Sequence, residues 1–149
     1  MKIVIADTSC LILYEKIDRL DILEKTFSEL IISRKVAEEY GRVPEWVIIK
    51  QIIDRSSYNL LSDSLGKGEA SSIILALEHQ NALLIIDEKK GRNIAKGMNI
   101  QIIGSFGVLL KAKEKKVINS VKDILSLIDQ TDFRISKQIK EYVLKKAGE

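Results

Sequence analysis

Short apolar runs recur along the chain at 2–6 (KIVIA), 30–32 (LII), 82–86 (ALLII) and 99–103 (NIQII). Each is too short for a helix, and each has the Ile, Leu and Val content of a buried strand. Between them the apolar positions change to helical spacing. The segment 9–27 (SCLILYEKIDRLDILEKTF) keeps that spacing from Leu11 to Phe27 and predicts two short helices. Ser33 is placed to cap a helix over SRKVAEEYGR. Pro44 is placed to open another over PEWVIIKQIID. Residues 58–62 (YNLLS) predict either a strand or an extended connector. A turn at Gly66 and Gly68 leads into a strong helical pattern, GKGEASSIILALEHQNA, and KKGRNIAKG predicts a short helix before the last strand.

The final third reads as three helices: SFGVLLKAKEKK, SVKDILSLIDQ and ISKQIKEYVLKKA. The last sets Ile135, Ile139, Val143 and Leu144 along one side with lysines opposite. That pattern suits packing on the domain or on a second copy better than membrane anchoring. Strands alternating with helices predict an α/β domain around a mainly parallel sheet. The expectation is one domain over 1–149, with a helical C-terminal extension from about residue 117.

Composition agrees with a globular chain: 149 residues, 46% hydrophobic and 30% charged, with one Pro and eight Gly. No apolar run approaches the roughly 18 residues of a membrane span. The run after Lys2 meets Asp7 too soon to be a signal peptide. A single cysteine, Cys10, excludes an intramolecular disulfide and a Cys-rich zinc site. A cytoplasmic address follows as the expectation. The net charge of +3 permits a nucleic-acid partner and equally fits a slightly basic protein with none.

The candidate chemistry lies in carboxylates. In parallel α/β sheets, strand C-termini and helix N-termini share one edge, where ligand sites form. Asp7 and Asp87 each end an apolar run, and Glu69 falls in the first turn of its helix, so all three are expected at that edge. Glu38 and Glu39 lie on a short helix about 100° apart, so one of the two is expected to face the cleft, and Glu39 is chosen. Each residue alone has an ordinary reading. Asp7 is a helix cap, Glu69 a complement to a helix dipole, the Glu38–Glu39 pair a solvated face and Asp87 a turn residue. Several carboxylates in one cleft would repel, and would call for a divalent cation or a proton.

The ordered segments ADTS with Asp7, VAEEY with Glu39, GKGEASSIILALE with Glu69 and LLIIDEKKGR with Asp87 resemble a PIN-domain ribonuclease. IIGSFGVLLKAK adds a likeness to one prokaryotic PIN subgroup, and the resemblance runs from Lys2 to about Lys116. It implies a three-layer α/β/α fold around a central, mainly parallel sheet. It further implies a metal-dependent endoribonuclease in which Asp7, Glu39, Glu69 and Asp87 hold one or two Mg²⁺ or Mn²⁺, hard cations that take oxygen ligands. Ser9 would orient a ligand carboxylate, and Glu38 and Glu88 would stand behind the ligands. Lys67, Lys89, Lys90 and Arg92 would offset the acidic cleft for an RNA phosphate, although each is equally an ordinary solubilising charge.

Stand-alone domains of this kind resemble VapC-type toxins, which implies an antitoxin partner and a homodimer. Glu69 stands where many PIN domains have Asp, and Ile85 where a hydroxyl residue often precedes the last Asp. Two other readings are a housekeeping RNA-processing nuclease and an inactive RNA- or protein-binding module, whose mark would be a lost carboxylate. A haloacid-dehalogenase-type phosphatase fits poorly, because Ser9 stands where its second Asp is needed. His79, late in a helix, is expected to be satisfied by local bonds.

Overall fold

The computed structural model describes residues 2–149. The chain runs β1 (Val4–Ala6), α1 (Thr8–Lys16), α2 (Leu20–Thr26), β2 (Leu30–Ser33), α3 (Arg34–Tyr40), β3 (Val47–Lys50) and α4 (Arg55–Ser62). It continues α5 (Lys67–Leu77), β4 (Leu83–Ile85), α6 (Lys89–Gly97), β5 (Gln101–Ile103), α7 (Ser105–Glu114), α8 (Val121–Asp129) and α9 (Lys137–Lys146). The five strands form one all-parallel sheet in the order β3-β2-β1-β4-β5.

The two-residue period of a strand divides the apolar runs between two cores. Val4, Ala6, Leu30, Ile32, Leu83 and Ile85 point into one core, where α1, α2, α7, α8 and α9 cover them. Ile5, Ile31, Leu84 and Ile86 point to the opposite side, where α5 and α6 cover them. The result is the three-layer α/β/α arrangement. Strands buried on both faces need no polar alternation, which is why these segments read as continuous apolar runs.

Two expected elements are corrected. PEWVIIKQIID is not a helix: Val47, Ile48 and Ile49 form β3, pairing with Leu30, Ile31 and Ile32. A run of β-branched residues beside an open sheet edge gains more from the ladder than from a marginal helix. Ile48 and Ile49 remain partly exposed because β3 is an edge strand. YNLLS is neither strand nor connector but the body of α4, whose cap is Asp54 accepting from the Ser57 amide at 3.0 Å. Tyr58 and Leu61, three apart, pack on the second core, whereas Leu60 points to solvent.

The last helix packs on α7 and α8 and buries Val143. The side chain of Glu149 closes this region. It accepts hydrogen bonds from the Val121 amide (2.8 Å), the Lys122 amide (3.1 Å), Ser120 Oγ (3.0 Å) and Lys113 Nζ (2.9 Å). A carboxylate at the N-terminus of α8 is favoured by the free amides and the helix dipole. The Lys113 ammonium, followed by those amides, brings its pKa down to about 2. Because the folded value is depressed, this contribution is complete above the unfolded value near 4.5 and fades as pH falls towards 2. Glu149→Gln is therefore expected to lower the melting temperature at neutral pH, with a gap that narrows below about pH 4. Melting curves across pH check it; a gap that does not change with pH would refute the charged cap.

Candidate active site

The C-terminal ends of the parallel strands open on a cleft of about 270 Å³ lined by Asp7, Thr8, Ser9, Glu39, Gly66, Gly68 and Glu69, among others. Asp7 follows directly on the central strand. Its amide donates to the Ile85 carbonyl at 3.2 Å, which fixes it beside β4. Its Oδ1 accepts from the Thr8 amide at 2.7 Å, so it also caps α1. Only 5% of the residue is exposed. Burial is the largest influence on its carboxyl, and the charges of Glu69, Glu39 and Asp87 add to it. Against a single opposing amide bond from Thr8 they raise the pKa to about 7.

Glu39 enters from α3. Its Oε2 accepts from Thr8 Oγ1 at 3.0 Å, and its Oε1 lies over Gly68, where a Cβ would come within 2.7 Å. Any side chain at position 68 would displace that carboxylate. Glu38, one residue earlier, is turned towards a neighbouring cavity instead. Helix phase thus separates the pair, and Glu39 is the one at the cleft.

Glu69 stands in the first turn of α5. Its Oε2 is buried without a hydrogen-bond partner and lies 3.1 Å from where a Gly91 Cβ would sit. Burial, then the neighbouring charge of Glu88, pushes its carboxyl upward. Glu88 itself caps α6, accepting from the Gly91 amide at 2.9 Å, and that amide foremost holds its carboxyl low. Asp87 is exposed just beyond β4 and lines a neighbouring cavity with Arg92 and Gly104. The Ser105 amide donates to its Oδ1 at 2.7 Å, and Ser105 Oγ donates to its Oδ2. Ser105 is fixed in turn, because the buried Tyr14 hydroxyl donates to its carbonyl at 2.8 Å.

The remaining expected residues scatter more widely. Ser9 lines the cleft, but the hydroxyls bonded to carboxylates are those of Thr8 and Ser105. Lys67 opens α5, and Lys89 and Lys90 open α6 on the surface. Arg92 donates to the Ile86 carbonyl at 2.8 Å, so it braces the loop that carries Asp87. His79 is far along α5, with Nδ1 2.8 Å from the Leu75 carbonyl, a local bond as expected. Sequence reasoning passed over Thr8, Ser105, Gly68 and Gly91. The one available signal was position: Thr8 and Gly68 directly adjoin Asp7 and Glu69, whereas Ser105 and Gly91 carry no such mark.

Three carboxylates, Asp7, Glu39 and Glu69, therefore line one cleft, and Asp87 stands near enough to act on Asp7 through its charge. They are not drawn together: among the described residues, no three His, Cys, Asp or Glu side chains gather closely enough to hold an ion jointly. The donor set nevertheless suits a hard cation. It is all oxygen, it includes the partnerless buried Glu69 Oε2, and two glycines leave the space the carboxylates occupy.

The raised Asp7 pKa has a consequence for stability. The folded state holds a proton that the unfolded chain releases from 3.8 upward, so ionising Asp7 costs stability as pH rises towards 7. In chelator, Asp7→Asn is expected to stabilise the protein at about pH 8 by on the order of a few kcal/mol, with the gain shrinking towards about pH 4. Urea unfolding at both pH values measures this; an Asn variant no more stable at the higher pH would make Asp7 an ordinary ionised cap.

A family model described as a PIN domain (DUF3368) matches residues 3–149. No curated protein and no solved structure gives a significant match.

Proposed function

Because the chain belongs to the PIN-domain family, whose members are generally nucleases, we propose that it is a metal-dependent endoribonuclease. The observation that carries this reading is the buried Asp7 carboxylate sharing one cleft with Glu39 and Glu69, within electrostatic reach of Asp87. Like charges so arranged need a counter-charge. All four carboxylates would hold one or two Mg²⁺ or Mn²⁺, with Thr8 and Ser105 orienting Glu39 and Asp87 through their hydroxyls. A divalent ion there supplies a Lewis acid for the phosphate and makes water a stronger nucleophile at neutral pH.

The reaction is hydrolysis. Water adds to phosphorus, one P–O ester bond breaks, and the fragments end in a phosphate monoester and a hydroxyl. The chain's own contribution is placement. Asp7 is immobilised between β4 and α1, Asp87 is clamped by Ser105, and Gly68 and Gly91 let two glutamates approach the backbone closely. Such second-layer bonds keep ligands in one orientation and reduce the reorganisation a reaction would otherwise require.

The finer reading is a toxin nuclease in the cytoplasm, acting as a homodimer and restrained by an antitoxin protein; housekeeping RNA processing is the alternative. What supports it is the resemblance of a small PIN domain of this kind to VapC-type toxins. Induced expression separates the two: a toxin arrests growth and its Asp7→Asn variant does not. Size-exclusion chromatography checks the dimer.

Incubation with single-stranded RNA and Mg²⁺ or Mn²⁺ tests the enzyme directly. Cleavage is expected to stop in chelator and to fall by about 100-fold or more in Asp7→Asn and Asp87→Asn. Ser105→Ala, which leaves every carboxylate in place, is expected to lose about 10-fold. Cleavage unaffected by both Asn substitutions would end this mechanism.

A further inference from the structure

On the other side of α3 from Glu39, and bounded by the start of α5, lies a second cavity of about 470 Å³. The buried Ser33 and Ser71 hydroxyls, 2.6 Å apart, form part of its floor and tie β2 to α5. Its wall carries Arg34, Lys35, Arg55 and Lys67 against one carboxylate, Glu38. Among the described residues none of these four cations makes an ion pair or a side-chain hydrogen bond.

Their positions are unfavourable for folding alone. Arg34, Arg55 and Lys67 are the first residues of α3, α4 and α5. A cation in the first turn opposes the helix dipole, which favours Asp or Glu there. Four unpartnered cations around one concavity leave positive charge that the fold itself does not neutralise. Arginine's planar fork matches a phosphate in particular.

The rest of the lining is neutral and mixed. Tyr58 offers a half-buried ring beside Ile52, and the amides of Gln51 and Asn59 each bring donors and an acceptor. The volume lies within the roughly 300–1,000 Å³ typical of small-ligand sites. The cavity also continues from the carboxylate cleft. Glu38 faces it while Glu39 faces the cleft, and Lys67 borders it while Gly68 and Glu69 border the cleft. The two concavities thus adjoin along α3 and the start of α5.

We propose that this cavity is the subsite for a nucleotide flanking the scissile phosphate of single-stranded RNA. Arg34, Arg55 and Lys67 hold its phosphate, Tyr58 stacks on its base, and Gln51 and Asn59 meet the base edge. An unpaired strand is required, because only a splayed base can enter such a cavity. The proposal rests on the nuclease reading for what happens next door, but its binding step does not need catalysis.

The test uses fluorescence anisotropy with a labelled single-stranded RNA hexamer in chelator over a range of salt, together with Mn²⁺-dependent cleavage kinetics. Arg34 and Arg55 are exposed and oppose the dipoles of their helices, so the double variant Arg34→Ala/Arg55→Ala is expected to keep or raise its melting temperature. It is expected to bind RNA at least about 10-fold more weakly, with a shallower salt dependence. In cleavage its KM should rise while kcat is retained. Tyr58→Ala should weaken binding and Tyr58→Phe should not, because stacking needs the ring alone.

Unchanged binding and KM in the double variant, beside cleavage that Asp7→Asn abolishes, would overturn the subsite and leave the nuclease standing. Weakened binding in a protein that cleaves no RNA would support the subsite and overturn the nuclease. An oligoglutamate peptide that displaces the hexamer at equal concentration would overturn the assignment to RNA in favour of an acidic protein partner.

Discussion

The constraint on which the site depends is a carboxylate held out of water at the end of the central strand. Asp7 is 5% exposed and receives a single amide bond on its own oxygens, while three further acidic side chains look towards it. A buried charge without a partner shifts its pKa or acquires a counter-ion. Here the pKa rises to about 7, so the cleft changes charge near neutrality. A fold selected for stability alone would place an apolar residue there. The cost is explained if the position exists to bind a cation.

The surrounding structure keeps the other carboxylates in reach. Gly68 lets Glu39 lie against the start of α5, and Gly91 leaves room for the unpaired oxygen of Glu69. Ser105, fixed through Tyr14 to the core, holds Asp87 from both oxygens. These contacts join α1, α3, α5 and α7 around the ends of β1 and β4, so helices on both faces of the sheet hold the acidic side chains at one edge of it. Rigid elements on both sides restrict the rearrangement the carboxylates can make when charge enters or leaves.

Opposite charges are also sorted by geometry. Asp7, Glu39 and Glu69 gather in the cleft, while Arg34, Lys35, Arg55 and Lys67, without an ion pair among the described residues, line the neighbouring cavity with the single carboxylate Glu38. A net charge of only +3 conceals this separation. A phosphate polymer meets repulsion at the carboxylates and attraction alongside them. On the proposed reading, nucleic acid would be held at the flank while an ion neutralised the acidic centre.

Most of the architecture was legible in the sequence because it follows from local period. Apolar runs of strand length, helical spacing and the cap at Ser33 lie within a few residues of what they specify. Both failures came from segments whose fate is non-local. Residues 47–49 became a strand because β2 offered an unpaired edge, and residues 58–62 became helix through a cap at Asp54 and packing of Tyr58 and Leu61. The sequence by itself determined which carboxylates end strands or open helices, since strand ends and helix starts share one edge of a parallel sheet. Only the tertiary structure decided that Glu39 rather than Glu38 reaches the cleft, that Thr8 and Ser105 are the bonding hydroxyls, and that Arg34 and Arg55 meet around one cavity. Those outcomes depend on contacts between residues 31, 18 and 21 positions apart, which no local pattern encodes.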